Sequence, residues 1–143
     1  MVSNTSNFAI RALVYLELYS SPAKKVGIKQ MITDLDIPEH FLGKILQLLV
    51  KSKLLGSSKG PNGGFYLLKP AIDITMLDVV EAIDGKENLG SCVIKSNTCE
   101  ATEPCSVHHK VTHMRGEVKK MLRAETIADL VSEFRERKDR IRI

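Results

Sequence analysis

No run of eighteen apolar residues occurs in this 143-residue chain, which excludes an apolar helix long enough to cross a bilayer. The hydrophobic start from Phe8 to Leu18 has neither a basic leader nor a small-residue cleavage site, so it does not read as a signal peptide, and a cytoplasmic protein is expected. Cysteine is scarce and odd in number, three in all, which argues against a disulfide framework and leaves room only for a transient pair under oxidation. The sequence also lacks a phosphate-binding glycine loop, the paired C-x2-C knuckles of zinc ribbons and an orienting carboxylate at a telling position. Cys105 and His108 have the spacing of a nucleophile and its base, but nothing else supports catalysis, and the chain is not expected to be an enzyme. Internal repeats and low-complexity segments are absent as well.

What is present fits one domain with an appendage, since a chain of this length buries a real core but has little room for two independent ones. Lysine and arginine outnumber aspartate and glutamate by nine to four over residues 1–70, whereas residues 71–143 carry twelve against thirteen. A basic front half beside a near-neutral remainder predicts that the first portion meets a polyanion and the rest packs against protein.

Ser6 or Asn7 is placed to cap a first helix, whose apolar positions Phe8, Leu13 and Leu16 cover much of its circumference and predict burial. Pro22 ends that region. From Val26 a short second helix sets Ile28, Ile32 and Leu35 at i, i+4 and i+7, and the Asp36-Ile37-Pro38 turn follows directly. A third helix, from about Pro38 to Lys53, is predicted to bury Phe41, Leu42, Ile45, Leu48 and Leu49. Its opposite side carries His40, Lys44, Gln47 and Lys51.

Two short apolar runs, Leu54-Leu55 and Phe65 to Leu68, flank a glycine- and proline-rich stretch from Gly56 to Gly64, the pattern of a hairpin or wing. Thr75 opens a further helix that stops at Asp84-Gly85. Beyond residue 105, Val107, Val111, Met114, Val118, Met121 and Leu122 recur every three or four positions, an amphipathic helix long enough to need a partner. Thr126 and Asp129 suggest a capping box before a terminal helix bearing Ile127, Leu130, Val131 and Phe134.

The fold expected is mostly α with a small β-wing, a winged helix-turn-helix with a long dimerisation helix. Residues 1–85 would be the DNA-binding domain, residues 86–105 a cysteine loop that binds a cluster, and residues 106–143 the dimerisation helix and C-terminal helix. In a helix-turn-helix the second helix enters the major groove, where glutamine pairs with adenine and lysine with guanine. Candidate DNA contacts are therefore His40, Lys44, Gln47 and Lys51 on that helix and Lys29 on the bracing helix. The hairpin tip adds Ser58, Lys59, Gly60, Asn62 and Gly63, where a lysine among small residues approaches phosphates without clashing with the groove walls.

All three cysteines, Cys92, Cys99 and Cys105, crowd into one stretch, and His108 follows in the spacing C-x6-C-x5-C-x2-H. Three soft thiolates and an imidazole suit either zinc or an iron-sulfur cluster. A bare thiol switch is the other reading, with Lys95, Lys110 or a helix start near Ser106 lowering the thiol pKa. His109 and His113 are alternatives to His108 as ligands and read better as solvated helix residues.

These segments together resemble a family: the winged-helix regulators typified by the iron-sulfur cluster assembly repressor IscR and the nitric-oxide-sensing repressor NsrR. The resemblance rests on Phe8 to Leu13, Ile37 to Leu42, Lys59 to Tyr66, Leu77 to Ile83, the three cysteines, and Thr126 to Leu130. It implies a homodimer with crossed long helices and two winged heads that read double-stranded promoter DNA. It further implies an iron-sulfur cluster on Cys92, Cys99, Cys105 and His108, [2Fe-2S] in preference to [4Fe-4S], with zinc as the alternative. Some relatives take an acidic fourth ligand from the partner's first helix; positions 4–7 here offer no carboxylate. Lys59 stands where relatives have a wing arginine, and Gly43 where they often carry a larger polar side chain.

Overall fold

The computed structural model describes residues 2–87, 89 and 104–136. Among the described residues, six helices and one hairpin follow in the order α1 (Asn4–Tyr19), α2 (Ile28–Leu35), α3 (Glu39–Lys51), β1 (Leu55–Ser58), β2 (Gly64–Leu67), α4 (Met76–Asp84), α5 (His108–Ala124) and α6 (Ile127–Glu136). A short 3-10 turn, Ala71–Asp73, precedes α4. The class expected from the sequence, mostly helical with a small β-wing, is the class found.

The centre of the molecule is α1, which packs against α2, α3, β2, α4 and α6. Ala9, Ala12, Leu13, Val14 and Leu16 are all essentially buried, so apolar side chains on nearly every side of one helix find cover. Its cap is Ser3, one turn earlier than expected: the Ser3 hydroxyl accepts from the Ser6 amide at 3.0 Å. Ser6 and Asn7 lie inside the helix instead. The last described helix, α6, shares this core through Ile127 and Val131 and so packs onto α1.

Helices α4 and α6 start side by side. Thr75 and Asp78 form a capping box, and Thr126 and Asp129 repeat it at the head of α6. An antiparallel bridge joins the two starts, with the Met76 amide donating to Glu125 at 2.9 Å and the Ile127 amide donating to Ile74 at 2.9 Å. At the far end of α4, Gly85 takes a φ of 85° and closes the helix as the sequence predicts.

In the wing, Leu55 pairs with Leu67, Gly56 with Tyr66, Ser57 with Phe65 and Ser58 with Gly64, leaving residues 59–63 as the tip. Val26 adds a one-residue third strand by exchanging backbone bonds of 3.1 and 2.8 Å with Phe65. That close approach requires glycine at 64, whose φ is 145° and where a Cβ would stand 2.5 Å from the Val26 carbonyl oxygen.

Helix α3 corrects the sequence reading. Leu42, Ile45, Leu46 and Leu49 face inward, while Phe41 and Leu48 are 45% and 38% exposed. The thirteen residues of α3 contain six large apolar side chains besides Val50, and two overlapping sets satisfy helical periodicity. Packing against α1, α4 and β1 selects the set that includes Leu46.

On α5 the apolar stripe runs as expected but little of it is covered. Leu122 is buried with Leu77, Val80 and Leu89; Val118 packs against that group; Val107, Met114 and Met121 are exposed. No described helix is long and apolar enough to cross a membrane.

Candidate nucleic-acid interface and cysteine segment

The turn between α2 and α3 is set by three consecutive residues. Asp36 adopts the left-handed conformation (φ 53°, ψ 46°) and its amide donates to the Ile32 carbonyl at 3.1 Å, ending α2. Ile37 is 1% exposed and anchors the turn in the core, and Pro38 (φ −56°) leads into α3, as its fixed dihedral favours.

Two side chains of α1 hold α2 in place. The Arg11 guanidinium donates to the Leu35 carbonyl at 2.8 Å, and the Tyr15 hydroxyl donates to the Asp34 carboxylate while accepting from Gln30 Nε2 at 3.0 Å. Burial, reinforced by the bond to Asp34, pushes the Tyr15 phenol up from 10.0 to about 12. Nothing in the sequence pattern singled out this network. A tyrosine in an apolar helix reads as core, and its partners become visible only when α1 and α2 are packed.

With α2 fixed, α3 turns its free side outward. His40, Lys44, Gln47 and Lys51 are all exposed, spaced at i, i+4, i+7 and i+11 along one stripe. Lys29 is exposed on α2. Ser58, Lys59, Gly60 and Asn62 are exposed at the wing tip, and Gly63 is half-buried, its amide donating to the Gly60 carbonyl at 2.9 Å. Every DNA-contact candidate named from sequence is thus solvent-facing on α2, α3 or the wing, apart from the half-buried Gly63. Phe41 and Leu48, which the sequence reading assigned to the core, join them on the exposed side of α3.

The metal-ligand candidates divide. Cys92 and Cys99 lie outside the described residues. Cys105 is exposed with a free thiol, and its carbonyl accepts from the His108 amide at 2.9 Å in the turn that starts α5. Among the described residues no group of three metal-ligating side chains converges. The pair that is described nonetheless fits a soft-metal site: an accessible thiol and an imidazole sit in a single turn. His109 follows directly, its ring 5.4 Å from that of His108, and His113 is exposed further along α5.

A separate network ties the start of the cysteine segment to the head of α1. Asp84, the last residue of α4, accepts from the Ser3 amide at 3.2 Å, the Ser3 hydroxyl at 2.5 Å and the Ser6 hydroxyl at 2.8 Å. Ser6 is completely buried.

A short-turn helix pair whose second helix presents a cationic stripe, followed by a glycine-tipped hairpin, defines a winged helix-turn-helix transcriptional regulator that binds DNA. Residues 2–133 match the model of the Rrf2 family, described as iron-dependent transcriptional regulators, and the chain belongs to that family. A protein of Aquifex aeolicus named as an HTH-type transcriptional regulator is 32% identical over 132 residues, covering 91% of this chain and 90% of the other. The solved structures that share the fold include CymR and IscR. CymR, the global cysteine regulator of B. subtilis, superposes with a TM-score of 0.75 at 22% identity, covering 93% of this chain and 97% of its own. IscR of T. potens does so with a TM-score of 0.74 at 20% identity, covering 99% and 93%. The family is one of transcriptional regulators and not of enzymes, as expected of this chain.

Proposed function

We propose that this chain acts in the cytoplasm as a homodimer on promoter DNA, with its affinity set by an iron-sulfur cluster on Cys92, Cys99, Cys105 and His108, [2Fe-2S] in preference to [4Fe-4S]. In this reading residues 1–85 are the DNA-binding head, 86–105 the cluster loop, and 106–143 the dimerisation and terminal helices. Lys29, His40, Lys44, Gln47 and Lys51 meet the duplex from the helix pair, and residues 58–60, 62 and 63 meet it from the wing. The exposed stripe of Met114 and Met121 on α5, with Val107 at its cap, supplies the apolar surface for a second copy.

One observation carries the cluster reading: the accessible Cys105 thiol and His108 share the turn that opens α5. When bound, a cluster supplies redox and ligand-exchange chemistry and alters the local charge. The chain's own residues then relay the change. The root beside α4 is tied to the head by the Asp84 bonds to α1, and α5, which follows the segment, packs on α4 through Leu122 near its far end. Because Arg11 and Tyr15 of α1 hold α2, a shift at the α4 root reaches the helix pair through α1. A bias of only about 1.4 kcal/mol between two arrangements changes DNA affinity tenfold.

The exposure of Cys105 also favours a second reading, in which the segment is a cluster-free thiol switch or a zinc staple. Purification without oxygen separates the two. A brown protein with visible absorption and about one cluster per chain, lost in Cys105→Ala, supports the cluster. A colourless protein that holds zinc or nothing after reconstitution supports the switch or staple. Titrating the promoter region with holo and apo protein then reads the coupling. Equal affinities would remove the regulatory part of the proposal.

A further inference from the structure

The outward arc of α3 is not purely polar. Phe41 and Leu48 are exposed on the same flank of the helix, seven residues apart, beside the stripe of His40, Lys44, Gln47 and Lys51. On a helical wheel of 100° per residue they stand about 140–160° from Gly43. The Gly43 side is covered by α2, because a Cβ there would lie 3.7 Å from the Ile28 side chain. The Phe41 and Leu48 flank therefore faces away from α2 and runs continuously into the surface that presents Lys44 and Lys51. Phe41 is further arranged by the His40 ring, 5.0 Å away between centroids.

A large apolar side chain in a groove-facing surface finds one chemical match there. In the major groove, thymine alone among the four bases presents a methyl group, while the other edge groups are hydrogen-bond donors and acceptors that an apolar side chain leaves unpaired. We infer that Phe41 and Leu48 are specificity determinants that select thymine, through its 5-methyl group, at two positions of each operator half-site. Seven helical residues span about 10 Å, which corresponds to about three base-pair steps of 3.4 Å when the helix lies along the groove. The two selected thymines are thus separated by about three steps. This inference rests on the proposed reading that the exposed face of α3 enters the groove.

The test starts from a duplex selected by the wild-type protein, isolated without oxygen, from a random pool. Each thymine is then replaced singly by uracil, which removes only the methyl. Two replacements per half-site, about three steps apart, are expected to weaken binding about fourfold each, the size set by one methyl-scale apolar contact. In Phe41→Ala the penalty vanishes at one position and in Leu48→Ala at the other. Both variants are expected to fold, since the side chains are exposed, and their thermal midpoints check this. Binding without any uracil penalty, or penalties that persist in both variants, overturns the inference while leaving DNA binding intact. Uniform weakening on every duplex together with a fall in solution mass would make the flank a contact between copies, and overturns it too. If the wild-type protein selects no duplex, the proposed DNA reading fails along with it.

Discussion

The buried hydroxyl of Ser6 donates to the Asp84 carboxylate at 2.8 Å, joining the first turn of α1 to the last residue of α4 across 78 positions of sequence. Asp84 gains twice from this position. It accepts three hydrogen bonds, and it lies at the positive end of the α1 dipole. Replacing Asp84 with Ala strands a fully buried hydroxyl and is expected to cost about 1–3 kcal/mol. Ser6→Ala removes the donor and its desolvation together, leaves Asp84 its two bonds to Ser3, and should cost less. In urea denaturation the double variant should be less destabilised than the sum of the two singles; strict additivity would mean that the bond contributes nothing.

Tyr15 predicts an alkaline signature. Its folded pKa is raised to about 12 against an ordinary 10.0, so the native state favours the neutral phenol. The stability this confers is complete below pH 10 and is lost as the pH climbs from 10 toward 12. Absorbance titration of the phenolate should therefore show one of the three tyrosines ionising only near pH 12, a step missing from Tyr15→Phe. The same variant gives up the bonds to Asp34 and Gln30 and should be destabilised by about 1 kcal/mol near neutral pH.

These two networks mark where sequence reading stopped. Punctuation was legible: Thr75 and Gly85 bound α4, Thr126 with Asp129 opens α6, and the glycines from 56 to 64 bend the wing, because each acts through its own backbone or a neighbour three residues away. Partnerships across the fold were not. Ser6 could be read as a cap because the bond it donates to Asp84, which makes it structural, arises only when α4 packs on α1. The face of α3 was misjudged for a related reason. Phe41 and Leu48 obey the same periodicity as Leu46, and only the positions of α1, α4 and β1 decide which set is covered. On α5 the apolar stripe was visible, whereas among the described residues only Leu122 and Val118 of it join a core cluster. Of the metal-ligand set, Cys92 and Cys99 lie outside the described residues, so only the Cys105 and His108 end can be compared with its spacing.

Gly43 offers a stabilising substitution inside the recognition helix. Glycine in a helix interior is less favourable than alanine by roughly 0.8–1.0 kcal/mol. At this position an added Cβ meets only the Ile28 side chain, at an ordinary 3.7 Å, and the backbone is helical. Gly43→Ala should raise stability by about 0.5–1 kcal/mol, measured as an upward shift of the urea midpoint. A decrease would mean that α2 and α3 are packed more tightly than this contact indicates.

The cationic positions of α3 and the wing make a prediction that separates phosphate contact from base reading. Lys44 and Lys59 are both exposed, one on the helix stripe and the other at the hairpin tip. A lysine that neutralises one backbone phosphate releases about 0.9 of a counterion, so its loss lowers the slope of log affinity against log salt by about that amount and weakens all sequences alike. Lys59→Ala, at a tip of small residues suited to the sugar-phosphate walls, is expected to behave in this way. Lys44 stands near the middle of the stripe, where it can reach guanine O6 and N7. Lys44→Ala should therefore relax discrimination at one base pair by about 1–3 kcal/mol in addition to any change in slope. Filter-binding isotherms on operator and random duplex across a range of salt concentrations distinguish the two behaviours. If both variants bind both duplexes like the wild type, the exposed face of α3 and the wing tip do not meet DNA.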